Sequence, residues 1–540
     1  MLNTNPTLFA MPPRNACRFW TARAERSGDG AFARTKDVKK TVSPRTCESG
    51  VALRLPPQSK TRSEQRRTVV IVPVQSWRAK RKIHLGRILS LLTAVTVLVS
   101  AVSVSAESAI GWDAVPAILA RIKAPEFPAR DFNVTDYGAR ADGETDCTEA
   151  IRKAIAACHE AGGGRVVVAG GTYLTGAIHL KSGVNLHVAG GATLKFSPDP
   201  NKYLPVVRTR FEGTECMNYS PLIYAFEQTN IAVTGKGTLD GSASWETWWK
   251  FILDARQTNA PQSGRLLLSY GDQGTPVEQR IFGAGHLLRP NFIQPFRCQN
   301  ILIEGVTITN APMWIINPVL STNVTVRGVT VTSHGPNNDG CNPDSSRDVL
   351  IEDCLFDTGD DCIAIKSGKN ADGRRVNVPS ENIIIRNCTM RDGHGGVVLG
   401  SETSGGVRNV FAEDCVMDSP NLDRALRLKT NAERGGPIEN IFFRNVKVGR
   451  VAHSVLTIDL VYWRVYDGPF PPTVRNIEMR NVTSTSSPRA LWIVGPTNSI
   501  IENVRVIDST FKGVEGADIL THSGTIQFEN VIVEPVKAQK

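Results

Sequence analysis

Between residues 230 and 531 one short pattern keeps returning: Asn, apolar, any residue, apolar, any residue, Asn/Asp/Gly, then Val or Cys. One copy reads Asn300-Ile301-Leu302-Ile303-Glu304-Gly305-Val306. Others run from Asn323 to Val329, Asp348 to Cys354, Asn382 to Cys388, Asn409 to Cys415, Asn440 to Val446 and Asn476 to Val482, with weaker copies at Asn230 and near 525–531. Their closing positions lie 23, 25, 34, 27, 31 and 36 residues apart. Apolar residues alternate within each copy, so each is a strand with one buried face. A unit this short has no core of its own and must bury its apolar face against its neighbours. The pattern predicts an all-β chain, a single-stranded right-handed parallel β-helix whose unequal spacings are loops of unequal length. A leucine-rich horseshoe would need a Leu-x-x-Leu-x-Leu frame, which is missing. A β-propeller would need four antiparallel strands per blade and a tighter period. The Asn opening each copy is expected to cap or ladder a turn.

Ahead of the repeats, residues 147–161 carry an apolar stripe near a 3.6 period (Ala150, Ile151, Ala154, Ile155), which predicts a short helix capping the first coil. Residues 243–292, with Trp245, Trp248 and Trp249, interrupt the repeat and read as an elaborated loop region beside a cleft. These tryptophans are expected to cover the coil, with sugar platforms as the alternative. One β-helix domain is expected over 107–540.

The net charge of +10 suggests nucleic acid or membrane until its distribution is considered. Residues 1–106 hold 19 Lys/Arg against 5 Asp/Glu, which leaves 43 against 47 for 107–540. No nucleic-acid partner is therefore expected. Residues 1–82 read as a disordered basic extension. Residues 83–106 read as a signal peptide: the basic run Arg78-Ala79-Lys80-Arg81-Lys82 just ahead of it, an apolar run from Ile88 to Val104, and small residues ending at Ala106. A secreted or periplasmic, monomeric protein with no membrane span after cleavage is expected. A signal so far from Met1 suggests translation from a non-Met codon near 69–74. Nine cysteines follow residue 106, and Cys354, Cys388 and Cys415 share one repeat position, which marks them as buried ladder residues rather than disulfide or zinc ligands. No cofactor or metal is implied.

Four polar clusters interrupt the repeat: Asn337-Asn338-Asp339-Gly340, continuing to Asn342-Pro343-Asp344; Gly359-Asp360-Asp361; Gly393-His394-Gly395-Gly396; and Arg427-Leu428-Lys429. Asp360 lies six residues beyond Cys354 and His394 six beyond Cys388, so the two should stack on neighbouring coils about 4.8 Å apart. Lys366 and Arg427 each lie twelve beyond their ladder Cys, with one coil between them. Carboxylates, an imidazole and cations on one face suit glycosidic hydrolysis, which needs an acid for the leaving oxygen and a base for water. Crowded carboxylates also keep one of their number protonated.

These clusters resemble, in order, the N-T-D, D-D, G-H-G and R-x-K motifs of the polygalacturonase family (glycoside hydrolase family 28), and the likeness runs from about Phe132 onward. The resemblance implies that Asp360 is the general acid and that Asp339 and Asp361 activate water in an inverting displacement. His394 would tune the acid, Arg427 and Lys429 would clamp a galacturonate carboxylate, and Tyr462 would contact the sugar. Asn337 and Lys366 are counted with the substrate-binding residues. Asn338 departs from the usual Thr, and Asp344 is a rival to Asp339, expected otherwise to support binding. The insertion at 369–379, with Arg374 and Arg375, resembles the longer loop of bacterial members that act from chain ends. Exo-acting hydrolysis of pectin is expected. Endo-polygalacturonase, rhamnogalacturonan hydrolase, a calcium-dependent pectate lyase and a non-catalytic polysaccharide-binding β-helix are the alternatives.

Overall fold

A computed structural model describes residues 110–257 and 259–536; the extension assigned to 1–82 and the signal peptide assigned to 83–106 lie outside the described residues. The chain winds as a right-handed parallel β-helix of three strand faces. The first face is the seven-residue repeat itself, in strands such as Gln299–Glu304, Thr322–Arg327, Arg347–Glu352 and Ser380–Arg386. A second, shorter face follows in each coil, as in Thr330–Ser333 and Leu355–Thr358. The third includes Ile363–Ile365, Val397–Gly400, Arg424–Lys429, Ser454–Asp459 and Arg489–Val494. Neighbouring coils pair in parallel register, for example Val349 with Ile383 and Ile383 with Val410, and their inward residues form one continuous buried core.

The opening Asn of each copy sits in the left-handed region, with φ of 57° at Asn300, Asn323, Asn382 and Asn476. A short amide side chain tolerates that conformation better than most. These side chains also hydrogen-bond from coil to coil: Asn323 Nδ2 donates to Asn300 at 2.8 Å, Asn409 to Asn382 at 3.0 Å and Asn476 to Asn440 at 2.9 Å. The repeat's polar signature is thus a turn requirement and a ladder in one residue. Cys354, Cys388 and Cys415 are buried and free, as are the other six described cysteines.

The expected capping helix forms at Thr148–Glu160 and buries Ile151, Ala154, Ile155 and Cys158. A second helix, Val115–Arg121, was not anticipated. It lies on the outside of the first face, where Val115 and Ile118 pack with Leu350, Ile384, Phe411 and Phe442. Those four side chains point outward from the coil yet are apolar, so the helix covers surface that would otherwise be exposed. Residues 243–292 do break the repeat and contain helices Lys250–Asp254 and Ser263–Asp272. Among the described residues no helix is long and apolar enough to cross a membrane.

One element departs from the coil. Strands Val207–Phe211 and Thr214–Asn218 form an antiparallel hairpin, and it lies on the third face itself. Thr209 hydrogen-bonds Gln294 of the strand Ile293–Phe296, Asn291 Nδ2 and Gln294 Nε2 donate to the Arg210 carbonyl, and Arg210 pairs with Asp344 at 2.7 Å. The hairpin therefore covers the third face over the N-terminal coils.

Candidate active site

The third face begins with a tight turn in each coil, and stacking these turns builds the site. Backbone bonds from Gly340 N to Asp361 O, Cys362 N to Gly395 O and His394 N to Asp360 O lock three turns in line. Gly340 has no alternative, because a Cβ there would lie 2.4 Å from the Phe356 ring. Asn338, the departure from Thr, is fully buried and holds its turn: it accepts from Ser333 Oγ at 2.7 Å and Gly335 N at 2.9 Å, and donates to Ala311 O at 3.0 Å.

Asp339, Asp360 and Asp361 converge, each offering an oxygen within 4.8 Å of the others. His394 Nδ1 is 3.0 Å from Asp360 Oδ1, on the neighbouring coil where the count placed it. The same oxygen accepts from Asp361 N at 2.9 Å. Asp360 is the most accessible of the three carboxylates, 14% exposed against 3% for Asp339 and 0% for Asp361. Burial, aided by the charges of Asp360 and Asp361 and opposed by Lys366 and Lys429, pushes Asp339 up to about 7. Three carboxylates this close cannot all be ionised cheaply, so the cluster retains a proton at acid and neutral pH, a property of the group rather than of one residue.

Arg427 and Lys429 alternate with the core residues Leu426 and Leu428 and so point to the same side of the strand, where Lys429 lines the cleft and Arg427 is buried beside it. Lys429 Nζ is 2.8 Å from Asp361 Oδ2 and Arg427 Nη1 is 3.6 Å from Oδ1. Both lie against the Tyr462 ring, at 5.3 and 5.6 Å from its centroid. Lys366 Nζ reaches Asp339 at 3.3 Å, Glu402 at 3.2 Å and the Trp314 ring at 4.3 Å. Burial alone would lower Lys366, but Glu402 and the three aspartates hold it above its ordinary value. A divalent ion could span the three aspartates by distance, yet Lys366 and Lys429 already pair with Asp339 and Asp361.

Three expectations need correction. Lys366 is not in register with Arg427: it aligns through Gly400 with Lys429, whereas Arg427 aligns through Val398 with Ala364. The cause is a turn two residues longer after Cys415, seen where Gly393 pairs with Leu422. Asp344 is not a substrate contact. It is fully buried beneath the hairpin, on Arg210 and the Gly368 amide at 2.9 Å, and burial raises it against the pull of Arg210. The arginines of the 369–379 insertion do not face a substrate either. Arg375 pairs with Asp372 at 2.9 Å and Glu215 at 2.8 Å, and Arg374 caps the carbonyls of Glu433 and Arg434 and covers the Phe470 ring. Asp372 also accepts from Glu215 N and pairs with Arg280 at 2.7 Å. The insertion is thus the clamp of the hairpin rather than a basic wall.

A cleft of about 310 Å³ lies over the cluster, lined by Asp339, Asp360, Lys366, His394, Lys429 and Tyr462, a size usual for small-ligand sites. Asn337 also lines it and accepts from Arg289 Nη2 at 2.7 Å. Trp248 and Trp249 cover the coil as expected, Trp248 fully buried and Trp249 bonded to Ala311 O at 2.9 Å. Trp245 instead lines the cleft, 39% exposed. Sequence reasoning missed Glu402, Glu212, Lys369, Arg289 and Trp314. Glu402 was within reach, since Gly400 sits twelve beyond Cys388 as Lys366 does beyond Cys354. Arg289 and Glu212 lie where the repeat gives no register. Burial pushes Arg289 down to about 10, with Glu212 and Asp360 opposing.

Residues 284–532 match Glycosyl hydrolases family 28 and residues 132–233 match Rhamnogalacturonase A/epimerase, pectate lyase-like. The chain is 31% identical over 445 residues to an exo-poly-alpha-D-galacturonosidase of Dickeya chrysanthemi, covering 74% of this chain and 70% of the relative. It is 28% identical over 389 residues to a probable polygalacturonase of Vitis vinifera, covering 68% and 71%. Among solved structures it matches a hyperthermoactive exopolygalacturonase from Thermotoga maritima with a TM-score of 0.75 and 46% identity, over 78% of this chain and 96% of that one. The chain belongs to glycosyl hydrolase family 28.

Proposed function

We propose that this protein hydrolyses α-1,4-galacturonosidic bonds of pectin and polygalacturonate, releasing galacturonate from chain ends. The observation that carries the reading is a carboxylate trio facing an Arg/Lys pair in a groove whose N-terminal side is covered by the hairpin. An acidic sugar bound by Arg427 and Lys429 places its glycosidic oxygen at Asp360. Asp360, the accessible carboxyl, gives its proton to that leaving oxygen, with His394 at 3.0 Å steadying its charge afterwards. Asp339 and Asp361 take the proton of a water that attacks the anomeric carbon from the opposite face, inverting it. The nearest oxygens of the trio are closer than the roughly 6.5–9.5 Å common between the carboxyls of inverting enzymes, so stereochemistry is the informative test. Proton NMR of the first product should show the β-anomer. The α-anomer would overturn the single displacement, and an unsaturated sugar would replace hydrolysis by lyase chemistry.

We also propose that the enzyme is secreted and monomeric. Mass spectrometry of protein from the producing cell should find an N-terminus directly after Ala106; peptides from residues 1–68 in the native protein would contradict it.

A further inference from the structure

The tip of the hairpin lines the cleft that holds Asp339 and Asp360. Glu212 and Gly213 make its two-residue turn, both with positive φ, 43° and 77°, the mirror-image turn that suits the twist of a hairpin. The turn is held in place: Lys369 N donates to Gly213 O at 3.0 Å, and a Cβ on residue 213 would lie 3.0 Å from both Glu402 Cγ and Lys369 N. Glu212 is left projecting into the same cleft as Asp339, Asp360 and Lys429. Its Oε2 is 3.1 Å from Lys369 Nζ, which is only 3% exposed, while Glu212 itself is 30% exposed.

A carboxylate is an odd choice against a polyanion. It repels uronate carboxylates and, when ionised, can only accept hydrogen bonds, so what it can recognise on a sugar is a hydroxyl. We propose that Glu212, positioned by Lys369, forms a subsite for the free ring hydroxyls of the non-reducing terminal galacturonate. It also rejects a chain that continues: there the hydroxyl becomes a glycosidic oxygen with no proton to give, and the next carboxylate would face Glu212. This rests on the chain-end reading above and names the group that enforces it.

The test compares trigalacturonide with its counterpart lacking the 4-hydroxyl on the terminal sugar. Sites built to bond a hydroxyl reject the analogue without it strongly, and for a partly exposed Glu212 the native enzyme should prefer the intact substrate by about a hundredfold in kcat/KM. Glu212→Ala should shrink that ratio to below about tenfold, and Glu212→Gln, which keeps an accepting oxygen, should retain part of it. A ratio unchanged in Glu212→Ala, or an equal loss on both substrates, overturns the subsite. A native enzyme that cuts internal bonds of longer oligomers overturns the chain-end reading instead, and the subsite with it.

Discussion

Asp339→Asn separates what the carboxylate does for chemistry from what it does to stability, because the structure predicts opposite signs. Asp339 is fully buried and pushed up to about 7 from an ordinary value of 3.8. A raised folded value means the native state binds this proton more tightly than the unfolded chain does. That contribution is complete below about 3.8, and it is lost as pH rises through about 7. An ionisable Asp339 in this cluster therefore disfavours folding relative to a group without charge, modestly at acid pH and by a few kcal/mol at pH 8. Asn has nearly the same shape and no charge, so it removes this cost and still accepts from Asn342 Nδ2, which donates to Asp339 at 2.8 Å. Lys366 keeps Glu402 at 3.2 Å. Thermal melts at one scan rate should show the variant more stable than the native protein, with the larger gain at pH 8. Its kcat on polygalacturonate should fall by about 10²–10⁴, the range of a general base. A gain independent of pH, or a variant less stable at pH 8, would refute the electrostatic reasoning. Retained kcat would remove Asp339 from the chemistry.

The same titration predicts the basic limb of the rate profile: kcat/KM should fall as pH rises through about 7, where the cluster loses its proton, and an activity still climbing at pH 9 would contradict it. Lys429→Met removes both a clamp for the substrate and the ammonium 2.8 Å from Asp361, so KM should rise and kcat fall together; a change in KM alone would mean that Lys429 only binds. Arg375→Ala leaves buried Glu215 with Arg208 at 3.0 Å and releases one end of the insertion's hold on the hairpin. It should lower the melting temperature and let oligomers appear among the products, whereas an unchanged melt and product profile would deny the clamp.

The fold was legible because its polar signature is periodic. The opening Asn of each copy is both a left-handed turn residue and a ladder rung, so the requirement recurs in every coil and shows as a repeat. The stacking of His394 on Asp360 was readable for the same reason, since the two turns have equal length. The reading failed where lengths differ, as with Lys366 and Arg427, whose matching offsets hide a two-residue insertion in the later turn. It failed wholly at the hairpin. Strands Val207–Phe211 and Thr214–Asn218 pair with each other rather than with a coil, so no register ties them to the repeat, and their seat on Gln294 and Asp344 spans 134 residues of sequence at its longest bond. That is why Asp344, plausible beside Asn342 in the sequence, is a support for the hairpin in the fold. The helix Val115–Arg121 was missed because the outward apolar residues it covers look, in sequence, like ordinary strand residues.

The central claim is hydrolysis from chain ends by the trio in a groove covered on one side. Size analysis of the earliest products from polygalacturonate tests it most directly. The account predicts galacturonic acid alone while the polymer stays long, with no unsaturated sugar and no effect of chelator, and loss of this activity in both Asp360→Asn and Asp361→Asn. A ladder of intermediate oligomers would contradict the chain-end reading, and a chelator-sensitive unsaturated product would contradict the hydrolase itself.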